Sequence, residues 1–179
     1  MLRLDNLLQT IDDQDNPDYV EEHGPFKSVT SHWLGVGYYF WDSLMRRAHW
    51  WGDRHYGGNY MICKAWASVD EDKFLDLADN MEQLQQFQAQ YELIQQIHQG
   101  KKITISFAIN KLIRDGLFPY QAVRSVSDKC GGDYAVKFVE GNSSFLNFSP
   151  PRQICIYERA AIHDYHIVYP LEYIADCVV

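Results

Sequence analysis

The stretch LGVGYYFWDSLMRRAHWWG, residues 34–52, decides which fold this sequence predicts. Gly35 and Gly37 stand directly before the run YYFW, whose aromatic residues favour a strand. Without a Cβ, the backbone at these glycines can adopt positive φ or let a ligand approach closely. A flat ligand would then meet Tyr38, Tyr39 or Trp41. The alternative is an ordinary bend with core aromatics, because the dinucleotide motif G-x-G-x-x-G is not completed here.

A helix is expected directly after this strand. Asp42 and Ser43 carry short polar side chains that can accept hydrogen bonds from the free amides of a first helical turn. Leu44, Ala48 and Trp51 then share one helical face. The stretch therefore predicts a glycine bend, an aromatic strand and a helix in close succession.

The rest of the chain predicts a mixture of helices and strands. Residues 59–69 alternate in a way that indicates a central strand, and residues 73–79 form a short extension of it. Helices are predicted over 79–100, 106–115 and 120–127, with Gly100 and Gly116 as the stops of the first two. Short runs within 134–140, 153–158 and 165–174 are rich in β-branched and aromatic residues. This order favours an α+β fold in a single domain spanning residues 1–179.

Composition narrows the functional classes. The 179 residues carry a formal charge of −8, which argues against broad attachment to a phosphate backbone and leaves a nucleic acid open as a transient substrate. We expect a cytoplasmic protein without membrane attachment, because neither a targeting segment nor a run of about twenty apolar residues is visible. The cysteines lack metal-site or disulfide spacing, which favours free thiols and no metal. They are Cys63, Cys130, Cys155 and Cys177.

Residues 34–51 resemble a segment of the poly(ADP-ribose) polymerase-like ADP-ribosyltransferases, which reads G-x-G-[IV]-Y-F and enters a helix with a small residue two places before an aromatic one. The later segment QICIYERAAI, residues 153–162, resembles the last core strand of that superfamily, and compact bacterial toxin-type members have similar spacing. The resemblance implies a split, twisted antiparallel β-sheet with flanking helices around an NAD cleft. By position it implies that Tyr39 and Trp50 stack on nicotinamide, with Ala48 as the small residue.

At the head of the last strand, the polymerase branch has a carboxylate, whereas this chain has Gln153. A glutamine amide can hold a ribose hydroxyl, but it cannot act as a base or supply negative charge. Polymer formation is therefore not expected, and single transfer, NAD hydrolysis or loss of activity remain open. Glu158 is the nearest acid, but an extended strand directs residues 153 and 158 to opposite faces.

The resemblance also implies an NAD anchor on the first strand. Arg3 in MLRLDN resembles the arginine form found in toxin branches, and His23 or His32 are the candidates for the histidine form. Arg46 and Arg47, at the start of the helix, can meet the pyrophosphate of NAD or a nucleic-acid phosphate. A solvated helix face is the simpler alternative for this pair.

Taken with the resemblance, these residues predict an NAD-dependent mono-ADP-ribosyltransferase, with NAD as substrate and no metal. A bacterial toxin or phage-defence effector is implied, acting on RNA, DNA or protein and neutralised by an antitoxin protein, as in a toxin-antitoxin pair. The alternatives are a non-catalytic nucleotide- or protein-binding module, an NAD glycohydrolase, or a structural domain whose aromatics are all core.

Overall fold

The computed structural model describes residues 1–30, 32–99, 102–127, 134–141 and 143–174. The strands in these ranges are β1 Leu2–Asp12, β2 Tyr38–Asp42, β3 Tyr60–Val69, β4 Phe74–Asp76, β5 Ala122–Val126, β6 Ala135–Lys137, β7 Phe145–Asn147, β8 Arg152–Ile156 and β9 Ile162–Tyr169. The helices are α1 Pro17–His23, α2 Met45–His55, α3 Met81–Ile97 and α4 Ile105–Arg114. In the ranges described, no helix is long and apolar enough to cross a membrane.

Seven strands form one mixed sheet in the order β4-β5-β8-β2-β1-β3-β9, and β6 and β7 pair separately as a hairpin. The α+β class expected from the sequence is confirmed at this level. The sheet departs from a wholly antiparallel arrangement at one pair, because β4 and β5 run parallel. The chain between them forms α3 and α4, and a helical crossover of this kind is what brings a strand back in the same direction.

The sheet curves around a core made by strands. One buried cluster draws residues from all seven strands, and its only other member is Ala161 in the 3-10 turn Arg159–Ala161. Since no α-helix contributes to this cluster, the two wings of the sheet must bend towards each other to enclose it. On the outer face, α2 covers part of β1, β2 and β3, while α3 and α4 cover β4, β5 and β8.

Local patterns predicted several elements well. The central strand is β3, which lies between β1 and β9, and the short extension is β4. The helix expected over 79–100 is α3, which begins after an Asn80 cap and ends at Ile97, while Gly100 lies outside the described residues. The helix expected over 106–115 is α4.

Two predictions are corrected. The segment 120–127 contains the strand β5, Ala122–Val126, rather than a third helix, because Ala122 and Val123 are buried on opposite faces between β4 and β8. The helix after the aromatic strand begins at Met45, and neither Asp42 nor Ser43 caps it. Asp42 is instead the last residue of β2.

The cysteine prediction is confirmed in part. Cys63 and Cys155 are buried free thiols. Burial raises the pKa of each to about 12, so both thiols stay protonated at neutral pH. Cys130 and Cys177 lie outside the described residues.

Candidate functional site: a cleft between two diverging strands

The centre of the sheet contains a gap between β1 and β2. These neighbouring strands pair at two positions, Leu7 with Asp42 and Leu8 with Trp41. Beyond Leu8, β1 continues in register with β3, whereas β2 continues in register with β8. The two strands therefore diverge, and side chains rather than ladder hydrogen bonds fill the space between them.

A half-enclosed cavity of about 280 Å³ opens at this divergence. Its volume lies just below the roughly 300 to 1,000 Å³ of typical small-molecule sites. The cavity suits one heterocycle with a sugar better than a complete dinucleotide. Two strands and a loop form most of its walls: residues 8–11 of β1, residues 39–41 of β2, and residues 26–29, 32 and 33 of the loop before β2. Trp51 of α2, Tyr56 just after that helix, and Gln153 of β8 complete them.

Tyr39 lines the cavity, as the resemblance implies, but its hydroxyl is already engaged. The hydroxyl donates to the Gly35 carbonyl at 2.7 Å and accepts from the Leu34 amide at 2.8 Å. Burial raises the pKa of Tyr39, and the neighbouring Cys155 thiol adds to the rise. The phenol therefore stays neutral, and its ring rather than its hydroxyl is available to a ligand.

Gln153 lines the same cavity from β8, the strand next to that of Tyr39. It stands in β8 directly across from Trp41, and only 9% of its surface is exposed. Its side-chain amide has no hydrogen-bond partner among the described residues. The amide borders the open cavity, so its donor and acceptor are available to a ligand with a hydroxyl or carbonyl group.

The helix aromatic at the cavity is Trp51 rather than Trp50. Trp51 lines the wall, lies 5.9 Å from the Trp41 ring and stacks on His55 at 3.7 Å. Trp50 is not part of the wall and packs near the Arg47 guanidinium.

Ala48 is fully buried in the cluster beneath α2 rather than at the cavity. Its carbonyl accepts a hydrogen bond from the Thr10 hydroxyl at 2.9 Å. The absence of a larger side chain at residue 48 brings α2 close to β1 and β2, which places Trp51 over the cleft.

Gly35 and Gly37 allow close approach of protein rather than of ligand. Gly35 has a φ of +88°, and a Cβ there would lie 2.7 Å from the Asn110 Oδ1 atom on α4. A Cβ at Gly37 would overlap the Cys155 sulfur on β8. Both glycines fit the loop and β2 against neighbouring elements, and neither contributes to the cavity wall.

Tyr38 faces the other side of the sheet, where it packs against the core cluster enclosed by the strands. The Lys27 ammonium lies 5.9 Å from its ring, and Lys27 itself lines the cavity. Lys27 is the one lysine or arginine among the described residues that line the cavity, and sequence reasoning missed it.

Arg47 connects α2 to the segment before β8. It is 8% exposed, and its guanidinium donates through two nitrogens to the Ser149 carbonyl, with Nε at 2.6 Å. Arg46 is exposed and lies 4.8 Å from the Tyr134 ring. Neither arginine lines the cavity, so the structure does not bring them to a ligand there.

Arg3 is distant from the cavity. Its side chain is 60% exposed, bonds Asp5 at 2.8 Å and lies 4.1 Å from the Trp66 ring. Gln9 at the cleft lies six positions along β1 from Arg3, a distance of about 15 to 20 Å at the usual rise per residue. The structure therefore separates Arg3 from Tyr39 and Gln153.

The two histidine candidates differ. His23 stacks on Tyr19 at 4.0 Å at the end of α1, away from the cavity wall. His32 lines the cavity and stands edge-on to the Tyr39 ring, with the ring centres 5.4 Å apart. Of the proposed first-strand anchors, only His32 meets the site, and it does so from a loop.

Two further charged residues, Arg124 and Glu158, do not line the cavity. Arg124 lies in an ion-pair network with Asp76, Asp42 and Asp79. Glu158 is exposed beyond the end of β8. Within the described part of the chain, no group of three or more His, Cys, Asp or Glu residues is placed to hold a metal ion.

Sequence reasoning missed Gln9 and Thr10, which contribute the β1 side of the cavity. Both are buried polar residues in the apolar run LLQTI. A polar pair inside a buried strand was the available signal, because buried polar groups need partners. For Trp51, the signal was its helical spacing from Leu44 and Ala48.

Comparisons of this chain with protein-family models, with curated proteins and with solved structures gave no match. The functional argument therefore rests on the geometry of the cleft.

Proposed function

We propose that this chain is an NAD-dependent mono-ADP-ribosyltransferase that holds the nicotinamide end of NAD in the cleft between β1 and β2. The observation that carries the proposal is the amide of Gln153, which lines a half-enclosed cavity with aromatic walls and has no hydrogen-bond partner among the described residues. The split sheet with flanking helices that the resemblance implies is part of the same proposal.

The aromatic walls support a flat, positively charged ligand. Tyr39 and Trp51 both contribute rings to the cavity, and a cationic heterocycle over such rings gains both stacking and cation–π energy. The cavity accommodates the nicotinamide and part of its ribose, so the pyrophosphate would extend outwards. Lys27 is the cation in the wall that can meet it.

Gln153 suits the ribose of this ligand. Its amide offers a donor and an acceptor, and a ribose hydroxyl can use both. Positioning the ribose favours cleavage of the bond between the nicotinamide nitrogen and the anomeric carbon. Nicotinamide leaves with the bonding electrons, the acceptor nucleophile attacks that carbon, and its proton passes to solvent or to a base on the acceptor.

The absence of a carboxylate limits the reaction. No Asp or Glu lines the cavity in the described part of the chain, so its walls supply no negative charge for the developing positive centre. This favours transfer of one ADP-ribose over polymer formation. The acceptor is proposed to be a macromolecule, RNA, DNA or protein, with the chain acting as a cytoplasmic toxin or defence effector that an antitoxin restrains.

The same observation favours a second candidate function. A cavity with a polar amide and a cation but no acid can bind a nucleotide without cleaving it. In that case the chain is a non-catalytic nucleotide-binding module, and NAD binds without release of nicotinamide.

Nicotinamide release from NAD tests the proposal and separates the two candidates. The purified protein is assayed alone and with RNA, DNA or cell extract, beside Gln153→Ala and the matched control Gln90→Ala, which changes an exposed glutamine on α3. We expect release that depends on one added fraction, is lost in Gln153→Ala and persists in Gln90→Ala.

Release without any acceptor would indicate an NAD glycohydrolase. Binding of NAD without release under any condition would support the non-catalytic module. Absence of both binding and release, with all three proteins folded, would overturn both candidates.

A further inference from the structure

We propose that Gln9 is a positioning residue that sets the shape of the cleft. Gln9 lies on β1 at the first position beyond its last pair with β2. Its side chain is buried, and it bridges the gap where ladder hydrogen bonds between the two strands are missing. The effect of Gln9 on a ligand rests on the proposed function, whereas its effect on the cavity wall does not.

Four hydrogen bonds fix the amide of Gln9. Its Nε2 donates to the Phe26 carbonyl at 2.9 Å and to the Tyr39 carbonyl at 3.3 Å. Its Oε1 accepts from the Phe26 amide at 2.9 Å and from the Tyr165 hydroxyl at 2.9 Å. Two donors and two acceptors surround the group, so only one orientation of the amide satisfies them all.

These bonds hold one wall of the cavity in place. Residues 26–29, here called the strap, line the cavity. At one end Gln9 binds the strap through both backbone groups of Phe26. Further along, the Ser28 amide donates to the Gly37 carbonyl at 2.9 Å, and the Gly37 amide donates to the Ser28 hydroxyl at 3.1 Å. The strap thus spans the divergence of the two strands.

Gly24 completes the arrangement. A Cβ at Gly24 would overlap the Tyr165 ring, so the ring reaches Gln9 only because residue 24 is glycine. The φ of Gly24 is −68°, a value that any residue can adopt. Glycine is therefore required at this position by the Tyr165 ring and not by the backbone conformation. Gly24 therefore acts by giving the Tyr165 ring access to Gln9.

Gln9→Glu is the sharpest test, because glutamate keeps the size and the two accepting contacts but places an oxygen against two carbonyl groups. We expect hydrogen–deuterium exchange of the strap to rise about tenfold at pH 8 relative to wild type. Burial raises the pKa of such a carboxyl, and its protonated form can donate one hydrogen bond. Exchange at pH 5, normalised to wild type at the same pH, should therefore return towards the wild-type rate.

Two further variants keep the test decisive. Tyr165→Phe removes one of the four hydrogen bonds and should raise strap exchange by a smaller factor, even if Gln9→Glu does not fold. Tyr60→Phe removes a buried hydroxyl contact with His49 outside the cavity and should leave strap exchange unchanged. Unchanged strap exchange in both Gln9→Glu and Tyr165→Phe would overturn the inference.

NAD titration of the same proteins separates this inference from the proposed function. If wild type binds NAD, the Kd of Gln9→Glu should rise about tenfold at pH 8 and recover at pH 5. Equal affinity of wild type and Gln9→Glu would contradict the positioning role. If wild type does not bind NAD, the proposed function fails, and the exchange result alone decides the role of Gln9.

Discussion

Adjacent tryptophans on α2 give a matched pair of variants for the proposed ligand site. Trp51 lines the cavity, whereas Trp50 does not. Trp51→Leu and Trp50→Leu each retain an apolar side chain on the same helix, so the two changes differ mainly in what the lost ring faces. We expect only Trp51→Leu to weaken NAD binding.

The magnitude follows from the position of Trp51. A cation over an indole ring gains about 0.5 to 1 kcal/mol when exposed and about 2 kcal/mol when desolvated. The cavity is half-enclosed, which places the loss at about 1 to 2 kcal/mol, or about 5- to 30-fold in Kd. Trp50→Leu should change Kd less than about twofold, within the range of an ordinary surface change.

Isothermal titration calorimetry measures the Kd of each variant for NAD. The titrations are made at a temperature where circular dichroism shows that each variant is folded. An equal loss of affinity in the two variants would indicate a general effect on α2. A larger loss in Trp50→Leu would place the ligand on the opposite side of the helix and refute the assignment of the cavity.

Three further predictions concern packing, acid stability and the first strand. Gly37→Ala should lower the free energy of unfolding by about 1 to 3 kcal/mol in denaturant titration, because its Cβ overlaps the Cys155 sulfur. Adding Cys155→Ala to the same chain should recover part of that loss. Additive losses in the double variant would contradict the proposed overlap. Burial raises the pKa of Asp76, but hydrogen bonds from Arg124 and two backbone amides outweigh it and leave the pKa lowered. Asp76 therefore stabilises the fold above pH 4, and the difference in unfolding free energy between wild type and Asp76→Asn should shrink as the pH falls below about 4; a difference that stays constant from pH 7 to pH 3 would show that this carboxylate contributes no such term. Arg3→Ala should leave the Kd for NAD within about twofold, since Arg3 lies at the far end of β1; a tenfold loss would restore Arg3 as an anchor.

Local sequence patterns predicted elements whose neighbours match their periodicity. The strand β3 alternates because its residues point to two distinct packing surfaces, and α4 follows its apolar spacing and ends at Arg114, two residues before Gly116. Residues 120–127 were predicted as helix because the pattern carried no information about β4 and β8, whose pairing makes this segment a strand. Long-range pairing overrode local propensity at that position.

The candidate site was predictable only in part, because some of its residues carry a sequence signal and others depend on long-range pairing. Tyr39 and Gln153 lie on paired strands, so a resemblance that selected both selected neighbouring residues in the lining of one cavity. Gln9 could not be predicted from the sequence, because its role depends on the divergence of β1 and β2 and no local pattern encodes that divergence. Trp51 was indicated by helical spacing, but the aromatic spacing of the resemblance favoured Trp50.

The position of a bound, non-hydrolysable NAD analogue in a crystal of the complex tests the central claim most directly. The account predicts density for the nicotinamide between Tyr39 and Trp51, with the Gln153 amide within hydrogen-bonding distance of the ribose. Density outside the cleft, or a cleft that stays empty at saturating analogue, would contradict it.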